Sequence, residues 1–256
     1  MELRGKVAIV TGSSSPEGVG GEIAKALAAR GCKVAVNYSA NRAGAGKVVA
    51  ACSAAGSEAI ALQGNVAEDA DCRRMVNATV ERWGRLDALV NNAAVTRAVP
   101  LDDLEALHAD EFQKLYAVNV IGPFQMARAA APHLKAAGDA AVVNVSSMAA
   151  FLGSGSSIAY AASKGALNTL TLSLARVLAP EVRVNAICPG GLLGGWTQKI
   201  MSEQAYRGKI HEAETKFPLK RGVWPVDVAR QVLFLIEGAR TLTGELLQTD
   251  SGRHLY

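Results

Sequence analysis

Short apolar runs rich in β-branched residues alternate along this chain with longer alanine-rich stretches whose apolar positions recur at helical spacing. The runs over 7–11, 33–37, 59–63, 86–91, 141–146, 183–187 and 245–249 predict seven strands. The periodic stretches over 19–30, 43–55, 69–83, 110–137, 159–178 and 225–236 predict helices between them. Regular alternation of this kind is the mark of an α/β chain with a parallel sheet, because parallel neighbours need crossovers and helices supply them. The stretch 191–224 shows neither period and reads as irregular, a segment suited to act as a lid.

The chain has 256 residues, of which 50% are hydrophobic, enough for one large domain over 1–256 with a substantial core. Its net charge of +4 is spread without a basic block or aromatic-basic interleaving, which argues against nucleic acid or a membrane surface as partner. Cys32, Cys52, Cys72 and Cys188 are widely spaced with no Cys-x-x-Cys pair, so neither a metal site nor a disulfide framework is expected. The N-terminus runs straight into a strand pattern, and no apolar segment reaches bilayer-spanning length, so a cytoplasmic location is expected.

Tyr160 and Lys164 stand one helical turn apart, which places phenol and ammonium on one face. A cation beside a phenol favours the phenolate and pulls its pKa below the ordinary value of about 10, making Tyr160 a candidate proton donor and acceptor. Ser147 lies shortly before, at the end of an apolar run. After the first strand, the segment from Thr11 through Gly12, Ser14, Ser15, Gly18 and Val19 to Gly20 is a glycine-punctuated turn opening a helix. Glycines let backbone approach a pyrophosphate, and free amides at a helix start stabilise its charge. Read singly, Ser147 is also a strand-exit cap, Asn119 a kink or capping residue, and Cys188 a small buried hydrophobe; His108, His133, His211 and His254 fit no motif.

Together these motifs resemble the short-chain dehydrogenase/reductase family, over about 6–252 and in the family's order: glycine turn, Asn91-Asn92-Ala93-Ala94, Asn119, Ser147, Tyr160 with Lys164, and Pro189-Gly190. The resemblance implies a Rossmann-type doubly wound seven-stranded parallel sheet with helices on both faces, and a nicotinamide dinucleotide as cofactor. It implies that Tyr160 exchanges a proton with the substrate oxygen, that Ser147 orients the carbonyl, and that Lys164 binds the nicotinamide ribose. Asn119 would hold a water leading from Lys164 to solvent. Beyond the glycine turn, the cofactor would meet Tyr38, Ser39, Asn65, Val66, Asn92, Ala93, Ala94, Tyr160, Lys164, Pro189, Gly190 and Leu192.

The chain departs from the family pattern in several places. The glycine turn carries two extra residues, best placed at Pro16-Glu17, and Glu17 would repel a pyrophosphate unless it faces solvent. Ala94 replaces a glycine, Asn65 replaces an aspartate, and Gly194 stands where a threonine usually binds the carboxamide, leaving Thr197 or backbone to substitute. The end of the second strand, Asn37-Tyr38-Ser39, has no acid to hold adenosine ribose hydroxyls and repel a 2′-phosphate, and Arg42 follows. NADP(H) is therefore the preferred cofactor reading and NAD(H) the alternative.

Trp196, Met201, Tyr206, Phe217 and Trp224 give the lid apolar surface for a hydrophobic alcohol or ketone, while six basic against three acidic residues over 191–224 suit an acidic group. The overall pattern is similar to 3-oxoacyl carrier-protein reductases, which makes a 3-oxoacyl thioester the leading specific substrate beside a small-molecule carbonyl. An NAD-dependent alcohol or sugar dehydrogenase and a non-catalytic dinucleotide-binding protein are the alternatives. Apolar residues on more than one face of 110–137 and 159–178, together with the resemblance, lead to an expected homotetramer, with the tail 253–256 at an interface.

Overall fold

Seven apolar runs form seven strands, at close to the predicted bounds. The computed structural model describes residues 1–255, with backbone alone for Trp196, Lys199 and Ile200, so the expectations for the Trp196 ring and for Tyr256 lie outside the described residues. Strands β1 (Val7–Val10), β2 (Lys33–Tyr38), β3 (Ala59–Gln63), β4 (Ala88–Asn91), β5 (Ala140–Val145), β6 (Val182–Pro189) and β7 (Leu246–Thr249) make one parallel sheet. Its order is β3-β2-β1-β4-β5-β6-β7. The direction of winding reverses between β1 and β4, where Val10 pairs with both Val36 and Val90. Chains leaving those two strands part to opposite faces and open a crevice at the carboxyl edge, the position where doubly wound sheets bind ligands.

Alternation along each strand sends neighbouring side chains into two separate cores. Val10, Val36, Val90 and Val143 pack with Ile23 and Leu27 of α1 (Val19–Ala28), Val48 of α2 (Arg42–Ala54) and Val232 and Leu235 of the long helix over Pro225–Glu237. Ile9, Ala35, Leu89 and Val142 pack on the other face with Met75 of α3 (Asp69–Trp83), Leu134 and Leu174. Two long-range polar ties close the bottom and the edge. The fully buried Asp87 carboxylate accepts from Val7 N at 3.0 Å and from Arg85 at 2.6 and 2.8 Å, with Lys6 at 3.3 Å. Arg183 donates to the carbonyls of Leu235, Ile236 and Ala239, at 2.8 Å each, satisfying the end of the Pro225–Glu237 helix.

Two expectations are corrected and one short helix is added. The single helix over 110–137 is α4 (Ala109–Tyr116), one turn of π-helix (Ala117–Ile121) and α5 (Gly122–Ala137). The wider turn carries Asn119, whose side chain is engaged by a strand-exit loop, and such bulges concentrate at functional sites. A short α6 (Ala149–Leu152) precedes α7 (Ile158–Leu178), which starts where Ser157 Oγ accepts from Tyr160 N. The stretch 191–224 is not irregular: it holds α8 (Gly195–Ile200) and α9 (Glu203–Thr215), the latter capped by Ser202 Oγ on Ala205 N, before α10 (Pro225–Glu237) begins. Among the described residues, no helix is long and apolar enough to cross a membrane.

Candidate active site

The glycine turn is laced to the ends of its neighbouring strands. Thr11 Oγ1 accepts from the main-chain N–H of Asn92 and Ala93, both at 3.0 Å, and Asn92 Nδ2 donates back to the Thr11 and Gly12 carbonyls at 2.9 Å. From the other side, Asn37 Oδ1 accepts from Gly12 N at 2.9 Å while its Nδ2 donates to the Gly64 carbonyl at 3.0 Å. Gly12 has φ +60°, and a Cβ there would lie 2.6 Å from Ala93 Cα; one at Gly20 would lie 2.8 Å from the Gly12 carbonyl. Both positions thus require glycine. The inserted Pro16-Glu17 makes a tight turn in which Gly18 N donates to the Ser15 carbonyl at 3.0 Å, and Glu17 is exposed.

Ser147, Tyr160 and Lys164 converge from the end of β5 and the first turns of α7. Ser147 Oγ accepts from Ala149 N at 3.1 Å, which orients it as α6 begins, and its side chain neighbours the Tyr160 phenol. Lys164 is 2% exposed; its ammonium donates to the Val145 carbonyl at 2.8 Å and lies 5.7 Å from the Tyr160 ring centroid. Burial lowers the Lys164 pKa to about 8. Burial also raises the Tyr160 phenol above its ordinary value, against the lowering effect of Ser147. Here the expectation that Lys164 pulls the phenol down is corrected: in this geometry desolvation dominates, so the Tyr160 phenol is protonated at neutral pH.

Asn119 sits just behind. Its Nδ2 donates to the Val95 carbonyl and to Ser163 Oγ, both at 3.0 Å, and its Oδ1 accepts from Val95 N at 2.9 Å. Ser163 Oγ in turn donates to the Tyr160 carbonyl at 2.7 Å. The side chain therefore braces the loop after β4 against the first turn of α7.

One cavity of about 960 Å³ joins the two arrangements. Gly12, Ser15, Gly18, Val19, Gly20, Ser39, Asn65 and Val66 line one arm. Asn92, Ala93, Ala94, Pro189, Gly190 and Leu192 line the middle with Ser147, Tyr160 and Lys164. Three expected site residues stand outside this wall: Asn119 as described, Ser14, whose carbonyl accepts from Asn41 Nδ2 at 3.3 Å, and Tyr38, packed in the core. Of the lid residues, Met201 lines the cavity, Phe217 is buried beneath it, and Tyr206 turns its hydroxyl to accept from Gly194 N at 2.8 Å. Thr197, 5% exposed, is in the wall where Gly194 is not, and so is the available substitute for the missing threonine. The bracing Asn37 and the wall residues Leu101, Leu152, Lys209 and Arg253 were not foreseen; no local motif marks them. A dinucleotide fits this chain: glycine backbone without room for a Cβ at one arm, and convergent hydroxyls and an ammonium beyond it.

A family model described as enoyl-(acyl carrier protein) reductase matches residues 12–254. The chain belongs to the short-chain dehydrogenase/reductase family. It is 43% identical over 249 residues to a Streptomyces violaceoruber protein named as a ketoacyl reductase of the granaticin polyketide synthase, covering 97% of this chain and 96% of that one. It is 32% identical over 252 residues to the 3-oxoacyl-[acyl-carrier-protein] reductase of Staphylococcus aureus, covering 98% of each. A crystal structure assigned to this family, from Burkholderia xenovorans, superposes with a TM-score of 0.91 at 40% identity, covering 98% of both chains. This short-chain dehydrogenase/reductase is thus an oxidoreductase that uses a nicotinamide dinucleotide.

Proposed function

We propose that the protein reduces a ketone to a secondary alcohol with NADPH, and that a 3-oxoacyl thioester is its substrate. The observation that carries this reading is the convergence of Ser147, Tyr160 and Lys164 on the same cavity as the glycine turn. A dinucleotide held along the glycine turn and beside Tyr160 and Lys164 would supply the hydride for the carbonyl carbon. Ser147 and Tyr160 hydroxyls donate to the carbonyl oxygen, and as negative charge grows there Tyr160 releases its proton to it. The resulting phenolate is stabilised by the Lys164 ammonium, held close by its bond to the Val145 carbonyl. A phenol whose pKa is raised by burial stays protonated at neutral pH, which suits reduction. Asn119 acts as a positioning residue through Ser163 and Val95.

The cofactor arm supports NADP(H): between Gly12 and Val66 its lining contains Ser39 but no carboxylate, and Arg42 stands exposed in the first turn of α2. Relatives named for ketoacyl and 3-oxoacyl reduction support the thioester. The protein is further taken as a single cytoplasmic domain that assembles as a homotetramer; exposed Ile121, Phe124, Leu172 and Val177 on α7 and around the start of α5 suit such burial, and light scattering tests it. The functional test is oxidation of NADPH and of NADH with a panel of ketones, diketones and 3-oxoacyl thioesters. Turnover with NADPH supports the reading; no turnover with any carbonyl removes it.

A further inference from the structure

The lid and the chain's last turn bring two cations to one wall of the cavity. Ala205, Lys209 and Glu212 recur along α9 at spacings of four and three, so one face of that helix lines the space beyond the catalytic hydroxyls. Three other lid bases are engaged elsewhere: Arg207 pairs with Glu203, Arg221 with Asp227, and Lys220 donates to the Thr215 carbonyl. Lys209 is partly withdrawn from water instead, and desolvation, followed by the nearby Arg253 charge, lowers its pKa. Glu212, one turn on, opposes this and leaves the group with one net positive charge.

Arg253 is placed by structure rather than by chance. Its guanidinium stacks over the buried Phe217 ring at 6.0 Å. Its main chain belongs to a short turn that Asp250 organises by accepting from Gly252 N and His254 N at 3.0 and 2.8 Å. Asp250 itself packs against Gly190 in the cavity wall, where an added Cβ would lie 2.8 Å from its own Cβ. A planar fork fixed on an aromatic face, beside a half-buried ammonium, is suited to a carboxylate or phosphate.

We propose that Lys209 and Arg253 form an anion-recognition subsite at the lid end of the cavity, selecting ketones that carry a carboxylate or a phosphate group. This rests on the reductase reading, and its test separates the two. Methyl-ketone carboxylates with one to six intervening methylenes would be compared with their methyl esters, and acetoacetyl-coenzyme A with acetoacetyl-N-acetylcysteamine. Both kcat/KM and calorimetric affinity would be measured. The expected result is a preference of about tenfold to a hundredfold for the anionic member of at least one pair, the size of one charge-assisted hydrogen bond. A preference among the acids assigns a carboxylate; one confined to coenzyme A assigns a phosphate. Lys209→Gln and Arg253→Gln should each reduce that ratio toward one, whereas Lys216→Gln, an exposed lid lysine outside the wall, should leave it and the turnover unchanged. Turnover without preference, or a preference that survives both substitutions, overturns the subsite and keeps the reductase. Preferential anion binding without turnover of any ketone keeps the subsite and overturns the reductase, and neither binding nor turnover overturns both.

Discussion

The Lys164 ammonium donates a 2.8 Å hydrogen bond to the Val145 carbonyl, the last residue of β5, and is almost wholly removed from solvent. One neutral carbonyl does not offset the loss of water around an ammonium, which is why its pKa falls to about 8. A lysine of ordinary pKa near 10.4 would keep its charge throughout the physiological range. This one titrates just above it.

The reduction rate should therefore decline as pH rises through about 8, because Lys164 then loses the charge that stabilises the Tyr160 phenolate. A pH profile of kcat/KM for ketone reduction checks this, and a plateau extending past pH 10 would contradict it.

Lys164→Met should abolish turnover without lowering thermal stability at pH 7. Its folded pKa lies below its unfolded one, so burying the ammonium costs stability in full below about pH 8, and that cost fades as pH rises toward about 10.4. Melting curves of wild type and variant should converge across that window.

Gly12→Ala should weaken dinucleotide binding and destabilise the fold by about 1–2 kcal/mol, the cost of a left-handed backbone for an L-residue, plus the clash with Ala93. Chemical denaturation and fluorescence titration with NADPH give the two effects separately.

Asp87→Ala should destabilise by about 3 kcal/mol or more, since it leaves Arg85 and the Val7 N–H without their shared partner. Burial alone would raise the Asp87 pKa, but Arg85, Val7 N and Lys6 together hold it below the ordinary carboxylate range. Its contribution is thus present above about pH 4 and lost as pH falls through the folded value, so acid unfolding should be shallower in the variant.

The parts legible in the sequence were those whose signal is local. Helix α3 was read at its observed bounds, with acidic residues in its first turn and Gly84 in the left-handed conformation just past its end. Ser147, Tyr160 and Lys164 followed from spacing on a strand end and a helix face. The π-helical turn was not legible, because what engages Asn119 is Val95, distant in sequence and on another element. Helix α9 was missed because its inward face, Ala205, Lys209 and Glu212, is mostly polar and leaves no apolar stripe. Asp87 and Arg183 act on backbone groups 80 and 52 to 56 positions away, a relation no window of sequence contains. The direction of the Tyr160 shift was misread because adjacency to a cation is visible in sequence and desolvation is not.

Ketone-dependent NADPH oxidation by Tyr160→Phe tests the central claim most directly, run beside a titration showing that the variant still binds NADPH. The hydroxyl is predicted to be the proton donor, so kcat should fall by about 10²- to 10⁴-fold with cofactor affinity retained. Turnover within a few-fold of the unaltered protein would contradict it.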